Sequence, residues 1–208
     1  MILYKTVLDE GMAEQIIEKS RFIAHVKHVE TKDEAESFFS EIKTKHKSAT
    51  HNVPAYVIGD KFQLQWASDD GEPQGTSGAP IIQMLVKEGI TNVAVIVTRY
   101  FGGIKLGTGG LVRAYTGTAK LVLDEVGKYS AKEMMTLTVK IDYTYHGKIQ
   151  NMAENNDFFK IIKTIYEDKI ILELYVNIES TDELKVLLSN ITSGNYLLLY
   201  EDKKIVYI

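Results

Sequence analysis

The residues best suited to chemistry lie between Ser68 and Thr118, where glycines are mixed with charged and aromatic side chains. The segment begins SDDGEPQGTSGAP, continues through an apolar stretch and ends TRYFGGIKLGTGGLVRAYTGT. It holds ten of the fifteen glycines of the chain. Glycine loses more conformational entropy on folding than any other residue. So many glycines in one segment therefore indicate that its backbone has a specific structural or binding role.

The second half of this segment predicts an anion-binding surface. Backbone N–H groups of a glycine loop and of the helix that follows it bind phosphate readily, and nearby arginine, lysine and tyrosine side chains add charge and flat rings. His51, at the start of an earlier strand, is either an ordinary strand-end histidine or part of the same surface. The predicted anion- or nucleic-acid-binding residues are Arg99, Tyr100, Lys105, Arg113, Gly102, Gly103, Gly107, Gly109, Gly110 and His51. The other interpretation of the glycines is close packing of the loop, with no ligand.

The first half of the segment contains three carboxylates, Asp69, Asp70 and Glu72. They supply enough oxygen ligands for Mg²⁺, or for general acid and base catalysis. They are equally typical of a tight turn, in which carboxylates accept loop N–H bonds or pair with Arg99 or Arg113. Both interpretations remain open, and Mg²⁺ is the one cofactor that the sequence suggests.

Three named nucleotide and hydrolase motifs are absent. A phosphate-binding P-loop requires lysine where Thr108 stands, and a dinucleotide fingerprint requires a small residue where Val112 stands. The serine elbow of hydrolases is also missing. We therefore assign no catalytic residue and expect a binding protein rather than an enzyme.

Composition is that of an ordinary globular protein, with 208 residues, 45% apolar and 25% charged. No cysteine, signal peptide or transmembrane stretch is found, so we expect a cytoplasmic protein without membrane contact. The net charge is −4, and residues 1–127 hold 14 basic and 16 acidic side chains. Any binding of nucleic acid must therefore use a local basic patch.

The pattern predicts two domains, residues 1–127 and 131–208. Residues 92–99 (NVAVIVTR) are typical of a strand buried on both faces, and residues 111–126 have helical spacing directly after Gly109 and Gly110. Other predicted strands cover residues 3–7, 15–29, 50–59 and 62–68. Two other helices are predicted: one is capped by Thr31 or Asp33, and the second covers residues 81–88. From residue 134 the order is βαββαβ, with strands over 134–143, 158–167, 169–177 and 196–207 and helices over 145–155 and 181–190. This is the ferredoxin-like arrangement.

Four sequence blocks carry a family resemblance: DDGEPQGTSGAP, NVAVIVTRYFGGIKLGTGGLVRAY, EKSRFIAHV and ATHNVPAYVIG. They resemble the signature of the IMPACT/YigZ family over about the first 127 residues. The resemblance implies an α+β protein of two domains: one like the second domain of ribosomal protein S5, the other ferredoxin-like, as in domains IV and V of elongation factor G. Val53 stands where the family often has cysteine, so we expect no shared thiol chemistry.

The resemblance also implies a link to translation, because eukaryotic members are similar to regulators of the stress kinase that controls initiation. We therefore expect a translation-linked protein that contacts RNA, the ribosome or a translation factor through its glycine-rich Arg/Tyr surface. The alternatives are a metal-assisted enzyme acting on a phosphate ester or other small anion through the Asp69–Glu72 loop, and a regulator that only binds other proteins.

Overall fold

The computed structural model describes residues 2–208, which divide into two compact units, Ile2–Ala131 and Lys132–Ile208. The two-domain α+β architecture expected from the sequence is confirmed. The elements of the first unit are β1 (Ile2–Thr6), β2 (Gly11–Ile17), β3 (Ser20–His28), α1 (Lys32–Lys45), β4 (His51–Ile58), β5 (Leu64–Ala67), α2 (Gly78–Lys87), β6 (Val93–Tyr100) and α3 (Gly107–Val126).

The first unit is built on an antiparallel sheet with strand order β2-β3-β6-β4-β5. Side chains alternate across a strand, so Val93, Val95 and Val97 of β6 join the core that contains α2 and α3, whereas Ala94 and Ile96 join the core beneath α1. Both faces of β6 are buried, as the unbroken apolar run predicted. Val53 is also fully buried in the first of these cores, so this position lies in the packing rather than at the surface.

The predicted single strand over residues 15–29 is wrong. The chain reverses at Glu18 and Lys19, both with positive φ, and β2 pairs antiparallel with β3. No glycine or proline stands at this turn, so the sequence lacks the usual turn signal. The other boundaries agree to within a few residues, except for the starts of the helix predicted at 111 and of the strand predicted at 134. Thr31 caps α1 by accepting a hydrogen bond from the N–H of Glu34 at 3.2 Å.

Helix α3 begins four residues earlier than the pattern indicates. Gly107 has a φ of +70°, Leu106 occupies the N-cap, and no side chain in the described part of the chain, residues 2–208, caps the helix. The glycines at 107, 109 and 110 therefore form the first turn of a 20-residue helix instead of the end of a loop. Glycine lowers helix propensity, which is why the sequence places the start too late.

The second unit consists of β7 (Tyr129–Ile141), α4 (Tyr143–Asn155), β8 (Phe159–Tyr166), β9 (Ile170–Val176), α5 (Thr181–Thr192) and β10 (Tyr196–Tyr207). Its strands are ordered β10-β7-β9-β8, so β9 lies between β7 and β8. The βαββαβ arrangement predicted from the pattern is confirmed. Among residues 2–208, no helix is both long enough and apolar enough to span a membrane.

Candidate functional site

The candidate site lies where β6 ends and α3 begins. His51 of β4 and Arg99 of β6 are directly opposite each other in the antiparallel pair, so their side chains share one face of the sheet. The loop before α2 and the segment between β6 and α3 close over this end. Together they form a pocket of about 440 Å³. It is lined by Thr50, His51, Glu72, Pro73, Arg99, Phe101, Lys105, Leu106, Gly107, Thr108 and Leu111.

A buried ion pair lies at this pocket. Nη1 of Arg99 donates to Oε1 of Glu72 at 2.7 Å, and the two side chains are only 5% and 4% exposed. The hydroxyl of Tyr115 donates to the same oxygen at 2.8 Å. Burial raises the pKa of Tyr115, and its hydrogen bond to Glu72 adds to this rise. The phenol therefore stays a donor, and the charge of Glu72 is compensated by Arg99.

The guanidinium of Arg99 is enclosed by two rings and retains an unused donor. Its Cζ lies 5.3 Å from the ring centroid of Phe22 and 5.2 Å from that of Phe101, both within cation–π range. Nη2 points to Oγ of Ser20 at 3.4 Å. Within residues 2–208, the buried Nε has no hydrogen-bond partner. Arg99 is thus a buried, oriented group that lines the pocket, paired with a carboxylate of the acidic loop as the turn-forming interpretation expects.

His51 is held by the acidic loop. Nδ1 lies 2.8 Å from the backbone carbonyl of Asp70, and because a carbonyl can only accept, Nδ1 carries the proton. Nε2 lies 3.8 Å from Oε1 of Glu72. This arrangement brings His51 to the same surface as Arg99, and it leaves Nε2 as the ring nitrogen that can accept a proton at the pocket.

The other two carboxylates of the loop organise its backbone. Asp69 accepts the N–H groups of Ser77 and Gly78 through Oδ1 and that of Gly75 through Oδ2, at 2.7–3.1 Å. Burial alone would raise the pKa of Asp69, but these bonds and one from the Ser77 hydroxyl outweigh it and hold the pKa below its ordinary value. Asp69 therefore fixes the start of α2.

Asp70 has a different task, because its Oδ2 accepts the N–H of Asn52 at 2.6 Å and Oδ1 faces Nζ of Lys43 at 3.4 Å. Asp69, Asp70 and Glu72 thus point to three separate sets of partners. Among residues 2–208, no group of three or more His, Asp or Glu side chains converges as a metal site would require. The geometry fits the turn-forming interpretation of this loop and does not gather the ligands that Mg²⁺ needs.

Exposed cations surround the first turn of α3. Lys105 and Leu106 line the pocket beside Arg99 and also a second pocket, of about 550 Å³, on the other side of the turn. Gly110 and Arg113 line that second pocket. Lys105 and Arg113 are both exposed, so they supply the accessible positive charge of this region.

The predicted glycines divide into two groups. A Cβ at Gly102 would overlap the carbonyl oxygen of Lys19, so Gly102 allows two backbones to pack closely, and its N–H donates to Oγ of Ser20 at 3.1 Å. Gly103 and Gly107 have positive φ. Gly109 has neither constraint, since its Cβ would meet only Nη1 of Arg113 at an ordinary 3.5 Å. A Cβ at Gly110 would lie 2.9 Å from Cβ of Leu106, so fold alone explains every predicted glycine of this segment except Gly109.

Tyr100 lies apart from these residues. It follows Arg99 in β6, so its side chain points to the opposite face of the sheet, towards α1. There its hydroxyl lies 2.9 Å from Nδ1 of His46, whose Nε2 is 3.3 Å from Nε2 of His25. Burial lowers the pKa of His25 to about 4, with further lowering by His46 and Lys45. The structure thus separates Tyr100 from the Arg99 surface to which the sequence assigned it.

Three further residues complete the site and were missed in the sequence. Ser20 contacts both Arg99 and Gly102, and the hydroxyl of Thr50 accepts the N–H of Phe101 at 3.0 Å. Leu106 separates the two pockets. Ser20 stands in the block EKSRFIAHV, which was the available signal, but only the pairing of β3 with β6 shows which loop it meets.

Comparison with known proteins gives the family. The model of the Impact N-terminal domain matches residues 18–123, and that of a domain of unknown function (DUF1949) matches residues 139–195. IMPACT family member YvyE of Bacillus subtilis (strain 168) is 42% identical over 192 residues, covering 92% of this chain and 88% of its own length. IMPACT family member YigZ of Escherichia coli (strain K12) is 32% identical, covering 88% and 90%.

A solved structure described as that of a hypothetical protein is 30% identical, with a TM-score of 0.59, and the match covers 94% of this chain and 96% of that one. The N-terminal match includes both the loop with Glu72 and the first turn of α3, so the whole candidate site lies inside it. On these matches along nearly its full length, the chain belongs to the IMPACT family.

Proposed function

We propose that this protein is a translation-linked regulatory or binding protein that contacts RNA, the ribosome or a translation-factor partner. The contact surface is the N-terminal end of α3 with Lys105, Arg113 and the pocket beside Arg99. The observation that carries the proposal is the uncapped first turn of α3, which opens onto that pocket next to exposed cations.

The first turn of α3 suits an anion for two reasons. The helix has 20 residues and no acidic residue in its first turn, and within residues 2–208 no side chain caps its first N–H groups. These groups and the positive end of the helix dipole are therefore available to an anion. The same pocket is lined by Arg99, whose buried Nε has no hydrogen-bond partner within residues 2–208. A phosphate oxygen is the kind of group that satisfies both sets of donors.

Gly109 supports the same conclusion. A glycine inside a helix costs about 0.5–1 kcal/mol relative to alanine. Neither φ nor packing requires glycine at this position. Close approach of a ligand to the backbone of this first turn accounts for a residue without a side chain.

An extended, phosphate-bearing partner fits better than a single small ion. Lys105 and Arg113 extend the positive surface across two pockets, and Phe101, which is 45% exposed, offers a ring beside them. Nucleic-acid sites combine such cations with aromatic faces. The overall charge of −4 means that binding depends on this local patch. The link to translation follows from the family resemblance described above.

Co-sedimentation with ribosomes and bulk RNA tests the proposal. The variant Lys105→Ala/Arg113→Ala removes two exposed cations without touching the buried Glu72–Arg99 pair. Lys61→Ala/Lys87→Ala is the matched control, because it removes the same charge from exposed positions at the opposite end of the strands. We expect binding that is lost in the first variant and retained in the second. Equal binding by all three proteins contradicts the proposed surface, and would favour a partner that docks elsewhere.

The second candidate function is an enzyme acting on a small phosphate ester. It is favoured by His51, which lines the pocket and whose Nε2, with the proton on Nδ1, can act as a general base there. A screen of phosphate esters, with and without Mg²⁺, compares wild type with His51→Gln. Turnover that disappears in His51→Gln supports the enzyme, whereas its absence in wild type leaves binding as the function.

A further inference from the structure

A groove on the opposite side of the sheet, between α1 and β5, has the features of a second binding site. It has a volume of about 390 Å³, and its walls include Phe39, Lys43, Lys47, Pro54 and Trp66. Trp66 and Tyr56 are cross-strand partners, and Tyr56 belongs to the core beneath α1. The groove therefore lies on the α1 face, away from the pocket beside Arg99.

Trp66 is an exposed ring held in place by its neighbours. Its centroid lies 5.7 Å from that of Tyr56 at an interplanar angle of 26°, and 6.4 Å from that of Phe39 at 32°. Even so, 45% of the residue remains exposed, on the edge strand β5. A large aromatic ring that is oriented by packing and open to solvent loses little entropy when a flat ligand stacks on it.

The charge beside this ring is positive. Lys43 lies in the last turn of α1 and Lys47 follows the end of that helix, and both line the groove. Lys43 is partly compensated by Asp70 at 3.4 Å, whereas Lys47 is exposed. Glu36, the acidic residue of the groove, is paired with Lys32 at 3.2 Å. Ser40 and Thr44 add hydroxyl groups along the same wall.

We infer that this groove binds a nucleotide of single-stranded RNA, with its base stacked on Trp66 and its phosphate contacted by Lys43 and Lys47. The ring of Trp66 complements a flat apolar group, and the two lysines complement a negative group beside it. Proteins bind single-stranded nucleic acids through such combined base stacking and phosphate contacts. The groove is separate from the surface at α3, so either site can fail its test without the other.

The fluorescence of Trp66 gives a direct readout, because it is the single tryptophan of the chain. The full-length protein is titrated with a short adenylate oligomer and with an abasic oligomer of equal length and charge. We expect saturable quenching by the adenylate oligomer and little change with the abasic one. Equal effects of the two oligomers, or no saturable change with either, overturn the inference.

Variants separate stacking from charge. By fluorescence anisotropy of a labelled oligomer, Trp66→Leu should weaken binding at least about fivefold, while Trp66→Phe should retain it, as expected for base stacking. Lys47→Ala should weaken binding, and the matched control Lys45→Ala should not, because Lys45 is paired with Glu41 at 2.6 Å and does not line the groove. Unchanged RNA affinity in Trp66→Leu contradicts the proposed site. A protein segment that binds in the groove without lowering the affinity for RNA contradicts it as well.

Discussion

Oε1 of Glu72 lies 2.7 Å from Nη1 of Arg99, and water reaches almost none of either side chain. The pair joins the loop before α2 to the end of β6, where Arg99 is the second-last residue. The hydroxyl of Tyr115, in α3, donates to the same carboxylate. Three elements of the site are thus tied to one oxygen atom. The arginine acts mainly by fixing the pocket, while the accessible charge comes from Lys105 and Arg113.

Removing Glu72 should destabilise the first unit strongly. In Glu72→Ala, Arg99 keeps its buried charge without a partner, and breaking a buried pair in this way costs about 3–5 kcal/mol. Urea unfolding measures the change. Glu36→Ala, which removes an exposed partner of Lys32, is the control and should cost at most about 0.5 kcal/mol. A loss below about 1 kcal/mol in Glu72→Ala would mean that the pair contributes little.

Two glycines of the same segment should respond oppositely to alanine. In Gly102→Ala the new methyl group overlaps the backbone of Lys19, which cannot rotate away, and we expect a loss of about 1–3 kcal/mol. In Gly117→Ala the methyl group lies 3.6 Å from the side chain of Gln15, inside α3, so stability should hold or rise. Thermal unfolding compares the two, and equal midpoints contradict the packing described for Gly102.

Gly109→Ala distinguishes a structural glycine from a ligand-contacting one. Its methyl group meets only ordinary contacts, and alanine favours the helix, so the free energy of unfolding should stay the same or increase by about 0.5–1 kcal/mol. Ribosome or RNA binding should nevertheless fall, because the methyl group covers the N–H groups of the first turn. If the Gly109→Ala variant is stable and binds as tightly as wild type, the proposal that a ligand contacts the backbone at Gly109 is contradicted.

Stability should decline as the pH falls from about 6.5 to about 4, because of His25. Burial lowers the pKa of His25 from 6.5 to about 4; His46 and Lys45 lower it too, while Glu10 and Glu41 oppose them. The unfolded chain therefore takes up this proton at a higher pH than the folded chain, so the contribution of neutral His25 is complete above pH 6.5 and is lost below it.

Allowing for the partial exposure of the ring, the loss should amount to about 1 kcal/mol. Urea unfolding over this pH range should be flatter in His25→Gln, while His146→Gln, in the second unit, should follow wild type. The depressed pKa of Asp69 adds a further loss at lower pH that all three proteins share. An equally steep profile in His25→Gln would show that another group is responsible.

Much of the fold could be predicted because hydrophobic periodicity and turn chemistry agreed. The buried run of β6, the apolar stripe of α1 and the βαββαβ order of the second unit all follow from local pattern. The hairpin at Glu18 and Lys19 could not be predicted, since two non-glycine residues adopt positive φ there and no glycine or proline marks the turn.

The site was predicted less well because it depends on which face of a strand each residue occupies. Arg99 and Tyr100 are neighbours in sequence and lie on opposite faces of the sheet. Conversely, Glu72 and Tyr115 are 43 residues apart and share a hydrogen bond. Trp66 drew no attention in the sequence, because only the pairing of β5 with β4 shows that its ring is both supported and exposed.

The salt dependence of RNA binding tests the central claim most directly. On single strands, each phosphate contact contributes about −0.7 to the slope of log K against log salt concentration. Titrations of a single-stranded RNA should therefore give a slope that is about 1.4 less steep in Lys105→Ala/Arg113→Ala than in wild type, with no such change in Lys61→Ala/Lys87→Ala. Identical slopes in all three proteins would contradict phosphate binding at the start of α3.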